Sequence, residues 1–272
     1  MHEDDHSSAY VVILQEKYMI TTLVPEWKDF TELAVYCFEV NGYRIQARCT
    51  DTATYKTLYE YDFTATDAGV NANPECTGEI SPLEGYLDLV DEDSSRRYAS
   101  FSLRVWPKTD LSMASECWST PEDIQDDIFQ CYGSGNERSD HFSKEYSYPK
   151  LATDIDVLTI KSKLWGHLAF GDYQKYDRFY AELTEHLVIM VDFDASPCWP
   201  RDALPPADIK SHVMDFFLDY LEHFDIIPLG SVPDEELPPL GFYPSQRDEK
   251  EIDADGQTIE QSPDSSINDS DW

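Results

Sequence analysis

Basic residues are scarce in this chain. Twenty Lys and Arg stand against 54 Asp and Glu, a formal charge of −34 over 272 residues. That deficit excludes ordinary nucleic-acid binding, which draws its affinity from cations that displace counterions from phosphate. It also disfavours anionic membrane surfaces. Long apolar runs are missing as well: none approaches the roughly eighteen residues that a transmembrane helix needs. The first residues carry His2, Glu3, Asp4, Asp5 and His6 where a secretory leader would be basic, so no signal peptide is legible and a cytoplasmic location is expected.

The short motifs that announce chemistry are also missing. No Gly-x-x-x-x-Gly-Lys, Gly-x-Gly-x-x-Gly, His-Glu-x-x-His or Gly-x-Ser-x-Gly occurs, so the phosphate cradle, dinucleotide fingerprint, zinc-protease helix and hydrolase elbow have no counterpart here. The six cysteines (Cys37, Cys49, Cys76, Cys117, Cys131 and Cys198) contain no Cys-x-x-Cys pair, and zinc sites are usually built from close pairs. Reduced, structural thiols are therefore expected, and no cofactor. The seven histidines show no paired signature; His212 and His223 are eleven residues apart, about 16 Å along a helix axis, too far to share a metal.

Hydrophobic residues at 41% and aromatics at 13% are ample for a core. The negative charge is spread along the chain: −10 over residues 1–108, −17 over 109–245 and −7 over 246–272. The last segment is polar, with Ile252, Ile259, Ile267 and Trp272 as its only large apolar residues, and should be disordered, like the first eight residues. The −27 left on the body makes acidity a surface property.

These patterns predict an α+β protein with a β-rich half over 9–108 (sandwich or barrel-like) and a mixed α/β half over 109–245. The clearest element is Leu33 to Thr50 around Asn41-Gly42, a dipeptide whose tolerance of positive φ makes it a strong hairpin signal. A two-residue turn pairs Val40 with Tyr43, Phe38 with Ile45, Tyr36 with Ala47 and Ala34 with Cys49 on an apolar face. Glu39 then meets Arg44, Val35 meets Arg48 and Cys37 meets Gln46 on the other. Further strands are expected at 9–15, 19–24, 54–66, 86–90 and 98–106, with a loop over 67–82.

The second half changes period. Thr120-Pro121-Glu122-Asp123 reads as a helix start, with Ile124, Ile128 and Cys131 at helical spacing and Gly133 as a stop. Alternation from Leu158 to Phe170 predicts one strand. Asp172 to His186 reads as a helix, Leu187 to Val191 as a buried strand, and Ile209 to Phe224 as an amphipathic helix opened by Pro205-Pro206 and ended by Pro228. The expected order is α-β-α-β-α, without internal repeats.

Three features are functional candidates. Asp192-Phe193-Asp194 follows an apolar run, and alternation puts both carboxylates on one side at the end of a strand, where Mg²⁺-dependent hydrolases and transferases hold metal. Two acidic stripes are more specific. Asp208, His212, Asp215, Asp219 and Glu222 follow steps of 4, 3, 4 and 3 on one helix, and Asp123, Asp126 and Asp127 lie together on another. Like charges at such spacing cost a helix a few tenths of a kcal/mol per pair, and a surface shaped for solubility alone mixes signs. The third feature is the end Ser266-Ile267-Asn268-Asp269-Ser270-Asp271-Trp272. It resembles in type, over seven residues, the acidic aromatic-ended tips of bacterial and phage single-stranded-DNA-binding proteins, which dock in basic pockets on partner enzymes.

Together these observations lead to an acidic, non-enzymatic interaction protein. Its partner would be a basic surface on a nuclease, toxin or defence protein, in a nucleic-acid- or nucleotide-binding site of the kind blocked by toxin-immunity proteins and phage anti-defence inhibitors. Duplex DNA carries about two charges per base pair, so the body's charge equals that of about 13 base pairs. The alternatives are a metal-dependent hydrolase or transferase using Asp192 and Asp194, and a replication-type scaffold acting through Trp272.

Overall fold

The protein is described by a computed structural model over residues 23–25, 30–55, 60–61, 63–66, 69–72, 80–91, 96–115, 117–138, 146–172, 176–195, 198 and 207–245. The expected strand at 9–15, the start of the one at 19–24, both chain ends with Trp272, Cys76 and Ser196 lie outside these residues. In the first half the strands are β1 (Leu23–Pro25), β2 (Ala34–Val40), β3 (Tyr43–Cys49), β4 (Thr54–Tyr55), β5 (Glu60–Tyr61), β6 (Phe63–Thr66), β7 (Gly69–Ala72), β8 (Ile80–Asp91) and β9 (Arg96–Pro107). Helix α1 (Pro121–Arg138) follows. Then come β10 (Tyr146–Ser147), β11 (Asp156–Ile160), β12 (Lys163–Asp172), β13 (Tyr176–Thr184) and β14 (Leu187–Asp194). Helix α2 (Ala207–Glu222), β15 (Asp225–Pro228) and β16 (Gly241–Tyr243) complete the elements among the described residues.

The β2–β3 hairpin has the expected register at all seven pairs, including Val40 opposite Tyr43 and Cys37 opposite Gln46. Asn41 and Gly42 have φ of 44° and 82°, the two left-handed residues such a turn requires. Strands β15, β16 and β5 extend this hairpin to a five-stranded sheet. The larger sheet has nine strands. Its path is β1-β8-β9-β14-β13-β12-β10, with β11 on β12 and β4 on β8, and the β9–β14 ladder joins strands from the two sides of residue 108.

One face of this nine-stranded sheet presents Phe101, Leu103, Val105, Phe179, Ala181, Ile189, Val191 and Phe193. They share a core with the smaller sheet (Tyr36, Phe38, Ile45) and with α2 (Phe217, Tyr220, Leu221). The opposite face is covered over part of its width by α1. There Ile124 and Ile128 pack with Leu168, Tyr180, Val188 and Met190. The described chain is thus mostly strand, with two α-helices.

Several expectations are corrected. Asp172 to His186 is not a helix. Tyr176, Phe179, Tyr180 and Leu183 fall at helical steps, but β13 is covered on both faces, so it buries Phe179, Ala181 and Leu183 on one side and Tyr180 on the other. A strand buried twice loses the alternation that identifies strands. The single strand expected from Leu158 is the β11–β12 hairpin. Its turn, Lys161-Ser162, has φ of 48° and 64° without the Asn or Gly that usually marks such turns. The span 54–66 divides into three short strands, and the loop expected over 67–82 contains β7 and the start of β8. Pro82 sits where the β8–β9 register shifts, the kind of place where a sheet tolerates proline. The order α-β-α-β-α becomes α1, five strands, α2 and two strands.

Helix α1 is seated at Gly166 of β12. A Cβ there would lie 2.7 Å from Ile124 Cγ2 and would also overlap Ile128 Cδ1. Gly166→Ala should therefore destabilise the protein by about 1–3 kcal/mol, the usual cost of overpacking. Urea unfolding checks this: the midpoint should fall at unchanged slope, and an unchanged midpoint would mean that α1 stands further from the sheet.

Candidate functional site

Helix α2 is the most firmly based of the acidic elements. Ile209, Val213, Phe217, Tyr220 and Leu221 are buried. Phe217 stacks on Phe193 of β14 at 4.1 Å and 11°, and the Tyr220 hydroxyl donates to the Arg48 carbonyl at 2.5 Å. Each such side chain contributes about 1.5–3 kcal/mol by burial, enough to offset the repulsion among the acids on the other side. Asp215, Asp219 and Glu222 are exposed there, with His212 beside them. Asp208 lies in the first turn of α2, and its side chain is outside the described residues. His223 ends the ridge, its Nδ1 at 2.9 Å from the Asp219 carbonyl and its ring stacked on Phe30 at 4.6 Å.

The three acids expected as a stripe on α1 have separate fates. Asp123 closes a capping box: its carboxylate accepts from the Thr120 amide and hydroxyl, both at 2.9 Å, while the Asp123 amide donates to Thr120 Oγ1 at 3.3 Å. Those bonds hold its carboxyl below the usual carboxylate range. Asp127 leaves the surface altogether, at 1% exposure. It accepts from the Ala114 amide at 2.8 Å, the Ser115 amide at 3.0 Å and the Trp118 indole N–H at 2.7 Å, fastening these three residues to the helix. Asp126 is exposed, with Glu122 near it, and Asp123 is half-exposed in its cap. Next to this knot the buried Lys108 ammonium donates to Glu182 at 2.5 Å and to the Ser115 carbonyl at 3.0 Å, and lies 5.3 Å from the centre of the Trp118 ring.

Asp192 and Asp194 do lie on one face at the end of β14, in two rows that cross the sheet. One row runs Glu84, Ser102, Asp192, Arg178 and Leu168; the next runs Tyr86, Ser100, Asp194, Tyr176 and Phe170. Asp192 is engaged by guanidinium groups. Arg178 Nε donates to its Oδ1, Arg104 Nε is 3.7 Å from its Oδ2, and Ser102 Oγ donates at 3.4 Å. The Arg178 guanidinium also lies over Phe170 at 5.0 Å and Tyr132 at 5.5 Å. These rows floor an open cleft of about 410 Å³. Among the described residues, no three His, Cys, Asp or Glu side chains gather as a metal-ligand set.

Arg178 and Arg104 are what sequence reasoning missed. Arg178 sits in the stretch read as helix, and the pairing of Asp192 with two other strands has no local signature. The five described cysteines are not bonded to one another. Burial pushes the Cys37 and Cys131 thiols up to about 11 and those of Cys49 and Cys198 to about 12, so none of these four presents a thiolate at neutral pH. Comparison with protein-family models, curated proteins and solved structures finds no match.

Adjacent acids on α1 should respond oppositely to neutralisation. Asp127→Asn places an amide N–H₂ against three donors and should cost about 1–3 kcal/mol. Asp126→Asn should be neutral or slightly stabilising, because it removes like-charge repulsion. Thermal and urea unfolding of both variants give the comparison; equal effects would mean that Asp127 is not a fastening.

Proposed function

We propose that this is an acidic interaction protein that occupies a basic, nucleic-acid- or nucleotide-binding, site on a partner protein, as toxin-immunity proteins and phage anti-defence inhibitors do. The observation that carries the reading is the α2 ridge. Asp215, Asp219 and Glu222 are exposed on a helix whose opposite face is locked into the main core. Charge held rigid before binding loses little entropy on docking. A strongly negative body also steers encounter with a positive site, which raises the association rate. The neutralisation of Asp192 by Arg178 and Arg104 supports this reading over metal-dependent hydrolysis, since a cation at that carboxylate would have to displace two guanidinium groups.

The test compares ridge with tail. Deleting 246–272 removes seven net negative charges, whereas Asp215→Lys, Asp219→Lys and Glu222→Lys together change the charge by six. Against a partner captured from the source cells and purified, the triple reversal should weaken binding at least tenfold more than the deletion, about 1.4 kcal/mol of difference. Calorimetric titration at one salt concentration reads it, after circular dichroism confirms folding. Loss of binding on tail deletion, with the reversed helix still binding, would move the function to Trp272.

A further inference from the structure

We propose that residues 229–240 are a second docking element, which lays a rigid proline turn into an aromatic-lined, basic-rimmed groove on another protein. Grooves of this kind occur on SH3 and WW domains. The proposal goes beyond the α2 ridge and does not require it.

The segment joins β15 to β16, which lie at opposite ends of the path β15-β3-β2-β16 through the smaller sheet. It contains one 3₁₀ turn, Asp234–Glu236, and is pinned along its length. The Leu229 amide donates to the Gly42 carbonyl at 2.8 Å, and the Ser231 hydroxyl to the Pro228 carbonyl at 2.6 Å. The Glu236 amide donates to the Pro233 carbonyl at 2.9 Å. Further on, the buried Arg44 guanidinium, itself held by Glu39, donates to the Pro238 carbonyl. Just past β16, the Ser245 amide donates to Asp51 at 2.8 Å. A connection tied down in this way presents its outer side chains in fixed positions.

What it presents is a polyproline turn. Leu237 has φ of −70° and ψ of 136°, polyproline II geometry. Pro238 and Pro239 fix their own φ, and each disfavours helical ψ in the residue before it. Leu237-Pro238-Pro239 is therefore one full turn at three residues per turn. Arg44 holds the Pro238 carbonyl against the protein, while Pro239 is exposed and Leu237 half-buried. Such a turn makes no internal hydrogen bonds, so its outward carbonyls accept from donors on another molecule, and proline rings pack on flat aromatic side chains. With φ locked and the ends anchored, little conformational entropy remains to be lost on docking. Directly before the turn, Asp234, Glu235 and Glu236 are all exposed. Three carboxylates beside the prolines complement a groove whose rim is basic and repel one whose rim is acidic.

The experiment titrates the full chain into a panel of purified, ¹⁵N-labelled SH3 and WW domains with basic or acidic groove rims. Basic-rimmed domains should bind in the micromolar range, with shifts at the groove aromatics and competition by each domain's own proline-rich peptide. Acidic-rimmed domains should bind at least tenfold more weakly. Leu237→Ala with Pro239→Ala should weaken binding at least tenfold. Should that pair misfold, Pro239→Ala alone, at an exposed position, should still weaken it several-fold. Asp234→Asn, Glu235→Gln and Glu236→Gln together should weaken it several-fold and remove most of its salt dependence. The α2 triple reversal should leave it unchanged within twofold. Binding by no domain in the panel, indifference to Pro239→Ala, equal binding to acidic rims, or shifts away from the groove would each overturn the assignment. Failure here with an intact α2 effect on the basic partner would remove the proline turn alone. Groove binding without an α2 effect would remove the ridge and keep the turn.

Discussion

Eight consecutive residue pairs between β9 and β14, from Pro107 opposite Leu187 to Ser100 opposite Asp194, hold the molecule together. They place β14 in the middle of the large sheet, where Leu187, Ile189, Val191 and Phe193 point into one core and Val188 and Met190 into the other. Because side chains alternate with period two, the register that buries those residues also brings Asp192 and Asp194 onto the open end of the second face. A slip by one residue would bury both carboxylates and expose Phe193. The cleft is therefore a consequence of core packing: the part of this face that α1 covers stays apolar, and the part that α1 does not reach carries acids, arginines and hydroxyls.

A body with this much negative charge folds because its acids are divided between two kinds of work. Asp127, Asp192 and Glu182 are absorbed into the structure by amides, an indole, guanidinium groups and an ammonium. Asp177 likewise sits buried against His167 Nε2 at 3.0 Å. Removing one partner from such a group leaves an unsatisfied charge, which costs far more than the pair contributes. The acids of α2 are instead left in water, where their repulsion amounts to tenths of a kcal/mol per pair against several kcal/mol from the buried aromatic face. The α2 ridge therefore costs the fold little, which leaves it available for a partner.

The hairpin and α2 were legible in the sequence because each announces itself locally. Asn41-Gly42 determines a turn and thereby seven pairings, and the apolar face from Ile209 to Phe224 has only one period. What was not legible depends on long-range contact. The strand β13 is covered on both sides, so its apolar residues carry helical and extended spacing at once. Lys161-Ser162 turns without turn residues. Asp127 looks like one more surface acid until Ala114, Ser115 and Trp118 close over it, and the partners of Asp192 come from residues 14 and 88 positions away. The shared face of Asp192 and Asp194 could be read from alternation, but the guanidinium groups that occupy Asp192 could not.

The central claim is that negative charge on a rigid surface drives association, and salt tests it most directly. Screening shortens the Debye length from about 10 Å at 0.1 M to about 4 Å at 0.5 M. If the field of the body and the α2 ridge steers encounter, the stopped-flow association rate with the purified partner should fall several-fold over that range, with a much smaller change in dissociation. An association rate that stays flat across the same range would contradict the account.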